Sequence, residues 1–224
     1  MYLKYNMKRY LSFDVGIKNL AYCKLDENKV IQSWGIINLN ENPQCDVHLK
    51  KRCEKQCMYE VKGDDKVKYC CPAHSKRFPK KKKLNSNHDL MKISQLCVSK
   101  LREIDLDDVT HVLIENQPAL KNPVMKSIQM IIYTFFVMDG IMKEDSSIET
   151  IHMVNARNKL KVYKGQPIEC NKKGKYAQNK FLSVEYTKEM IKEEDESFIK
   201  LFSESKKKDD LADAYLQGIY WIEK

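Results

Sequence analysis

Apolar positions gather into three short runs at the start of the chain. Residues 10–15, 19–25 and 30–38 are split by the polar turns DVGIKN and LDENK, a spacing that predicts an antiparallel three-strand meander. From about residue 41 to 86 the pattern breaks into a Cys- and Lys-rich stretch, read as an insertion. HDLMKISQLCVSKLREI (88–104) then shows a helical period through Leu90, Ile93, Leu96, Cys97, Leu101 and Ile104, with Asn87 as its N-cap. THVLIENQP (110–118) is a short strand that ends in an acid. NPVMKSIQMIIYTFFVMDGI (122–141) is a long apolar helix, capped by Asn122 with Pro123 in its first turn. ETIHMVNA (149–156) reads as a strand and the basic residues 157–177 as loop. NKFLSVEYTKEMIKEE (179–194) and DDLADAYLQGIYWIEK (209–224) read as amphipathic helices. The order β-β-β-(insert)-α-β-α-β-α-α predicts an α/β fold, a mixed five-stranded sheet with helices on its faces. One domain is expected over 1–224, with 41–86 inserted within it.

Charge narrows the partner. The 224 residues carry 40 Lys+Arg against 31 Asp+Glu, a net charge of +9, which favours a polyanion such as nucleic acid. Residues 45–83 hold 13 basic and 5 acidic residues, so nearly all the excess lies there. No run of about 18 apolar residues is present, so no membrane span is expected. MYLKYNMKRY lacks the apolar core of a secretory signal. The expectation is an intracellular protein, acting at the site of viral DNA replication if its source is viral. In a reducing setting eight cysteines point to metal ligands or free thiols more than disulfides.

Four acids sit where chemistry can use them. Asp14 ends the first strand and Glu115 the fourth, while Asp210 and Asp213, three apart, share a face of the last helix. If the first and fourth strands are neighbours and the last helix crosses their ends, the carboxylates converge. Such a cluster repels itself unless cations sit within it. Mg²⁺ prefers oxygen ligands, and two such ions can activate water and stabilise the leaving oxygen of a phosphodiester.

FDVGIKNLAY, IENQPALKNPVMKSIQM and KKDDLADAYLQG, in this order, resemble the poxvirus-type Holliday junction resolvases, RuvC relatives within the ribonuclease-H-like superfamily. The likeness covers residues 9–40 and 88–224, the Cys-rich segment being an insertion. It implies a ribonuclease-H-like fold and a homodimer that nicks four-way DNA junctions symmetrically with two Mg²⁺ ions, for which Mn²⁺ substitutes. It gives Asp14, Glu115, Asp210 and Asp213 the metal-binding catalytic roles, with Asp209 the second choice for Asp210. Branched DNA is the implied partner. A nuclease of the same fold acting on RNA–DNA hybrids or flaps, and a non-catalytic junction-binding module, are the alternatives.

The remaining motif residues have physical readings. Gly16 permits a tight turn, Asn19 holds it, and Gln117 positions the chain after Glu115. Lys126 and Gln129 lie on a polar face of the long helix that could meet DNA. Its opposite face, with Met130, Ile131, Phe135 and Met138, could meet the core or a dimer mate. The insert offers Cys45, His48, Cys53, Cys57, Cys70, Cys71 and His74. Too hydrophilic to fold on its own core, it calls for a structural zinc held by Cys45, Cys53, Cys71 and His74, with Cys57 and Cys70 as alternates. Lys76, Arg77, Lys80, Lys81, Lys82 and Lys83 follow directly and read as a phosphate clamp on a DNA arm.

Overall fold

The computed structural model describes residues 7–39, 44–47, 53, 55, 57–62, 66–84, 89–120 and 122–224; Asn87 and His48 lie outside them. In chain order the elements are strands Arg9–Asp14 (β1), Asn19–Asp26 (β2), Ile31–Asn38 (β3), Tyr59–Lys62 (β4) and Val67–Cys70 (β5), the helical turn Pro72–Ser75 (α1), strand Lys82–Lys83 (β6), helix Leu90–Leu101 (α2), strand His111–Glu115 (β7), helix Pro123–Phe136 (α3), strand Thr150–Val154 (β8), and helices Lys175–Met190 (α4), Glu196–Glu204 (α5) and Lys208–Ile222 (α6). A π-helical turn, Val137–Ile141, extends α3, and a 3-10 helix, Ala156–Val162, follows β8. The chain divides into two compact units, Met1–Leu39 with Ser94–Lys224, and Asn40–Ile93.

The larger unit is built on the expected mixed five-stranded sheet, in the order β3-β2-β1-β7-β8. β1, β2 and β3 form the antiparallel meander, and β7 and β8 add in parallel beside β1. Side chains alternate between faces of a sheet. Leu11 and Phe13 therefore point one way, where the Phe13 ring meets Phe136 of α3 at 5.5 Å. Tyr10, Ser12 and Asp14 point the other way, toward α6, where Gln217 Nε2 donates to Ser12 Oγ at 3.1 Å. Gly218 allows that close approach: a Cβ there would stand 2.5 Å from Leu25 Cδ1 and 3.3 Å from Ser12 Cβ.

The face under α6 carries a core of Ala21, Cys23, Leu25, Trp34, Leu211, Tyr215 and Leu216, among others. α5, which the hydrophobic pattern did not separate from its neighbours, closes this core. Its Phe202 stacks on Trp34 at 5.2 Å, and Asp195 caps it by accepting from the Ser197 N–H. α3 begins as expected, with Asn122 accepting from the Met125 N–H. Pro123–Ile141 is long and apolar enough by length and composition to cross a bilayer. It buries Ile128, Ile132, Phe135 and Phe136 against the sheet side and leaves Met130, Met138 and Ile141 exposed.

The smaller unit has a three-stranded antiparallel sheet, β5-β4-β6, preceding and following α1 in sequence. Among its described residues the buried cluster is Cys45, Cys57 and Cys71, packed by Val47, Cys53, Tyr69 and Leu84.

Candidate active site and metal centre

Strand parity brings the first two acids together. Asp14 and Glu115 end parallel neighbours β1 and β7, with Ser12 opposite Leu113, so both carboxylates share the face that α6 covers. The preceding residues, Phe13 and Ile114, are fully buried, which fixes which way the acids point. The chain then turns at Gly16, where a Cβ would stand 2.3 Å from the Asn19 carbonyl oxygen, a contact only glycine avoids. That turn brings the Asn19 side chain to Asp210, to whose Oδ2 it donates at 3.3 Å.

Asp14, Glu115 and Asp213 form the inner cluster. Burial, then the charges of Glu115 and Asp213, push the Asp14 carboxyl well above its ordinary value, and it hydrogen-bonds to Glu115. Burial likewise raises Asp213, against the pull of Lys159. Asp213 Oδ1 is buried with no hydrogen-bond partner. Asp210 lies one turn earlier on α6; its carboxyl is raised by burial and by Asp209. Asp209 is turned aside: burial would raise it, but its ion pair with Lys180 holds it below the usual range.

Glu115 is held from behind. Gln117 Nε2 donates to Glu115 Oε2 at 2.5 Å and to the Val15 carbonyl at 3.3 Å. The Gln117 N–H in turn donates to Gln129 Oε1 at 2.8 Å. This corrects the sequence reading of Gln129 as a DNA contact. It is fully buried, and its carbonyl is taken by Gln117 and Lys126. Lys126 is half-buried, its amine donating to Asn116 and Gln129 at 3.1 Å each. Phe135 is core, while Met130 and Met138 are exposed.

One residue in the cluster was not anticipated. Lys159, on the 3-10 helix after β8, pairs with Asp213 at 2.5 Å and is mostly buried. Burial lowers an amine's pKa, but Asp213, Asp14 and Glu115 together hold this one above its ordinary value, so it stays charged. Its only signal was position: β8 runs parallel beside β7, and Val154 sits opposite Glu115. Whatever leaves that strand end therefore starts next to the acids.

The second cluster lies in the smaller unit. Ligand atoms of Cys45, Cys53, Cys71 and His74 all lie within 4.8 Å of one another, with Cys45 Sγ 3.3 Å from His74 Nδ1. Burial would raise the Cys71 thiol, but backbone N–H groups of His74 and Ala73 and contacts with Cys45 and Cys53 hold it below its ordinary value. Three thiols and an imidazole within one coordination sphere match what a borderline-soft ion takes in a tetrahedral structural site. Cys57 and Cys70 are buried beside the set; burial pushes the Cys57 thiol up to about 12. Lys76, Arg77, Lys80, Lys81, Lys82 and Lys83 are exposed, Lys82–Lys83 being the strand paired with β4.

A mixed sheet in this order, with acids at the ends of its first and fourth strands and on its last helix, is a ribonuclease-H-like fold. Residues 10–118 match the family model described as "Mitochondrial resolvase Ydc2 / RNA splicing MRS1". A protein of Acanthamoeba polyphaga mimivirus, "Uncharacterized protein L451", is 30% identical over 240 residues, covering 92% of this chain and 57% of the relative. The chain thus spans a little over half the length of that relative. The crystal structure of the yeast mitochondrial Holliday junction resolvase Ydc2 shares the fold, with a TM-score of 0.52 at 18% identity over 97% of this chain and 80% of that one. Fowlpox virus resolvase, solved with its substrate Holliday junction DNA, is 17% identical with a TM-score of 0.46, over 96% and 97% of the two chains.

Proposed function

We propose that the chain is a divalent-metal-dependent, structure-selective endonuclease that resolves four-way DNA junctions. The observation that carries this reading is the convergence of Asp14, Glu115 and Asp213 on one face of parallel β1 and β7, with Asp210 one turn away. The set fits hard divalent cations: all its donors are carboxylate oxygens, one is buried without a partner, and burial and the charges of Glu115 and Asp213 push the Asp14 carboxyl up. Mg²⁺, or Mn²⁺ in its place, would be held by Asp14, Glu115, Asp210 and Asp213. When bound there, two such ions would supply an activated water and stabilise the leaving oxygen of the phosphodiester.

The chain's own groups have separate tasks. Gln117 fixes the orientation of Glu115, and Asn19 that of Asp210. Lys159 keeps a positive charge beside the acids, where it offsets the charge of a scissile phosphate. Lys180 keeps Asp209 out of the cluster, which favours Asp210 as the ligand.

Resolution of a junction needs two matched cuts, and a two-fold homodimer supplies two sites. The exposed side of α3 and its π turn fits an isologous contact. Met130, Met138, Ile141 and Met142 are exposed there, beside a groove of about 420 Å³ lined by Val98, Arg102, Ile131 and Phe135. In the smaller unit, Cys45, Cys53, Cys71 and His74 hold a structural Zn²⁺, and Lys76, Arg77 and Lys80–Lys83 bind a DNA arm. The mimivirus relative fits a site of action where viral DNA is replicated.

The test is a gel assay on a labelled four-way junction, a linear duplex and an RNA–DNA hybrid, with and without Mg²⁺, for wild type and Asp14→Asn. Paired symmetric nicks in the junction alone, dependent on Mg²⁺ and Asp14, are expected. Cuts chiefly in the RNA of the hybrid would assign the function to a hybrid nuclease. Tight binding without cuts would leave a junction-binding module.

A further inference from the structure

Whole-chain arithmetic hides a second basic segment. Residues 157–180 contain eight Lys or Arg and a single acid, Glu169; acids elsewhere in the larger unit cancel this excess in the sum. The segment starts at the end of β8 and includes Lys159, inside the acid cluster. It ends on α4, where Lys180 pairs with Asp209, the neighbour of Asp210.

An aromatic ring stands in the middle of this charge. Tyr176 is 75% exposed, an unusual position for a large ring on a helix that has a core to join. The ring is not loose: the Lys180 amine lies 5.2 Å from its centroid. The Lys172 amine lies 5.9 Å from the Phe181 ring, and Gln178 Nε2 ties the loop to α4 by donating to the Lys172 carbonyl at 3.1 Å. The contacts form a continuous path, from Asp210 and Asp209 to Lys180, then to Tyr176. Lysines in a row beside an exposed, pre-oriented aromatic face are what a single nucleic-acid strand needs. Ammonium groups follow the phosphates, and the ring stacks on a base whatever its identity.

We infer that residues 157–180 form a single-strand grip beside the catalytic acids, with Tyr176 as a stacking platform for an unpaired base and Lys172, Lys173 and Lys175 along the phosphates. This rests on the nuclease reading only for the strand's purpose, which is to hold the unpaired or splayed strand at a branch point while the acids face its backbone. The lysines before α4 also oppose that helix's dipole, and a bound polyanion removes that cost.

The experiment is binding of the full chain, without added Mg²⁺, to a short single-stranded oligonucleotide carrying one 2-aminopurine and to an abasic oligonucleotide of equal length. Wild type should bind the first more tightly and change the 2-aminopurine fluorescence. Tyr176→Ala should weaken that binding by about tenfold and abolish the fluorescence change, leaving abasic binding unaltered; Tyr176→Phe should behave as wild type. Lys172→Ala, Lys173→Ala and Lys175→Ala together should flatten the salt dependence of both by a slope of about 2. Equal affinity of Tyr176→Ala and wild type for the base-bearing strand would overturn the proposal. So would equal losses on both oligonucleotides, or displacement of the strand by polyglutamate as readily as by DNA. Junction cleavage is measured separately: a strand grip through Tyr176 in a protein that cuts no junction would sink the junction-resolving reading and leave this one standing.

Discussion

Among the described residues, the acids around Asp14 and the thiols and imidazole around Cys45 relate to their surroundings in opposite ways. The acids around Asp14 are carried by a sheet and helix already held by Leu25, Trp34, Leu211, Tyr215 and their neighbours. The core there is built without the acids, and the fold holds like charges together at a cost that a bound cation would relieve. In the smaller unit the candidate ligands are the core. Cys45 and Cys71 are two of its three fully buried described residues in the central cluster, and little else is apolar around them. On the proposed reading, the same kind of bond does chemistry in one place and folds the chain in the other.

That contrast fixes what each perturbation should do. The largest effect belongs to the acids: Asp14→Asn or Glu115→Gln should lower cleavage by roughly a thousandfold, the scale of losing one preorganised charge-stabilising group. Binding to a junction should stay within a few-fold of wild type. A variant that still cuts at the wild-type rate would remove that residue from the site. Next comes the smaller unit. A chelator strong enough for zinc should release about one equivalent and expose Asn40–Ile93 to protease while Ser94–Lys224 stays resistant. Release of less than about half an equivalent, or unchanged digestion, would mean that this unit folds without metal.

Smaller again is Gly16→Ala, whose added carbon meets the Asn19 carbonyl. A loss of about 1–3 kcal/mol is expected in denaturant titration, the usual cost of overpacking, together with slower cleavage because Asn19 holds Asp210. The smallest effect is on stability without metal. Asp14 has a folded pKa above its unfolded one, so the folded chain holds that proton longer. The stability this contributes is complete below about pH 4 and is lost as pH rises through the folded value. Metal-free Asp14→Asn, which never ionises, should therefore melt above wild type at neutral pH. The gap should close toward pH 4 and reverse once Mg²⁺ is supplied. A gap that widens toward low pH would contradict the assigned direction.

Much of the site was legible because strands alternate. A carboxylate ending a buried run, as Asp14 and Glu115 do, has only two faces to choose from, and the parity of Phe13 and Ile114 decides between them. In the second cluster the nearness of Cys71 and His74 was legible from their spacing, while the choice of Cys45 and Cys53 over Cys57 was not. Lys159 was not, since nothing in a run of scattered lysines marks the one that a 3-10 helix turns inward. Gln129 was misjudged for a related reason. A polar residue on an apolar helix was read as surface, whereas the strand end beneath it left the Gln117 N–H in need of an acceptor. α5 was lost because Phe198, Ile199 and Phe202 make too short a stripe to separate from the charged residues around them. The charge of 157–180 disappeared in a sum, which shows that net charge is informative only when taken segment by segment.

The pair Gln129–Gln117 has a mechanical meaning. One end of this relay is rooted in α3, whose far side shows its methionines to solvent; the other grips the oxygen of Glu115. Helix and carboxylate are thereby geared together. Any rotation of α3 that seats its methionine side on another surface must either carry Glu115 with it or strip the 2.8 Å tooth between the two glutamines.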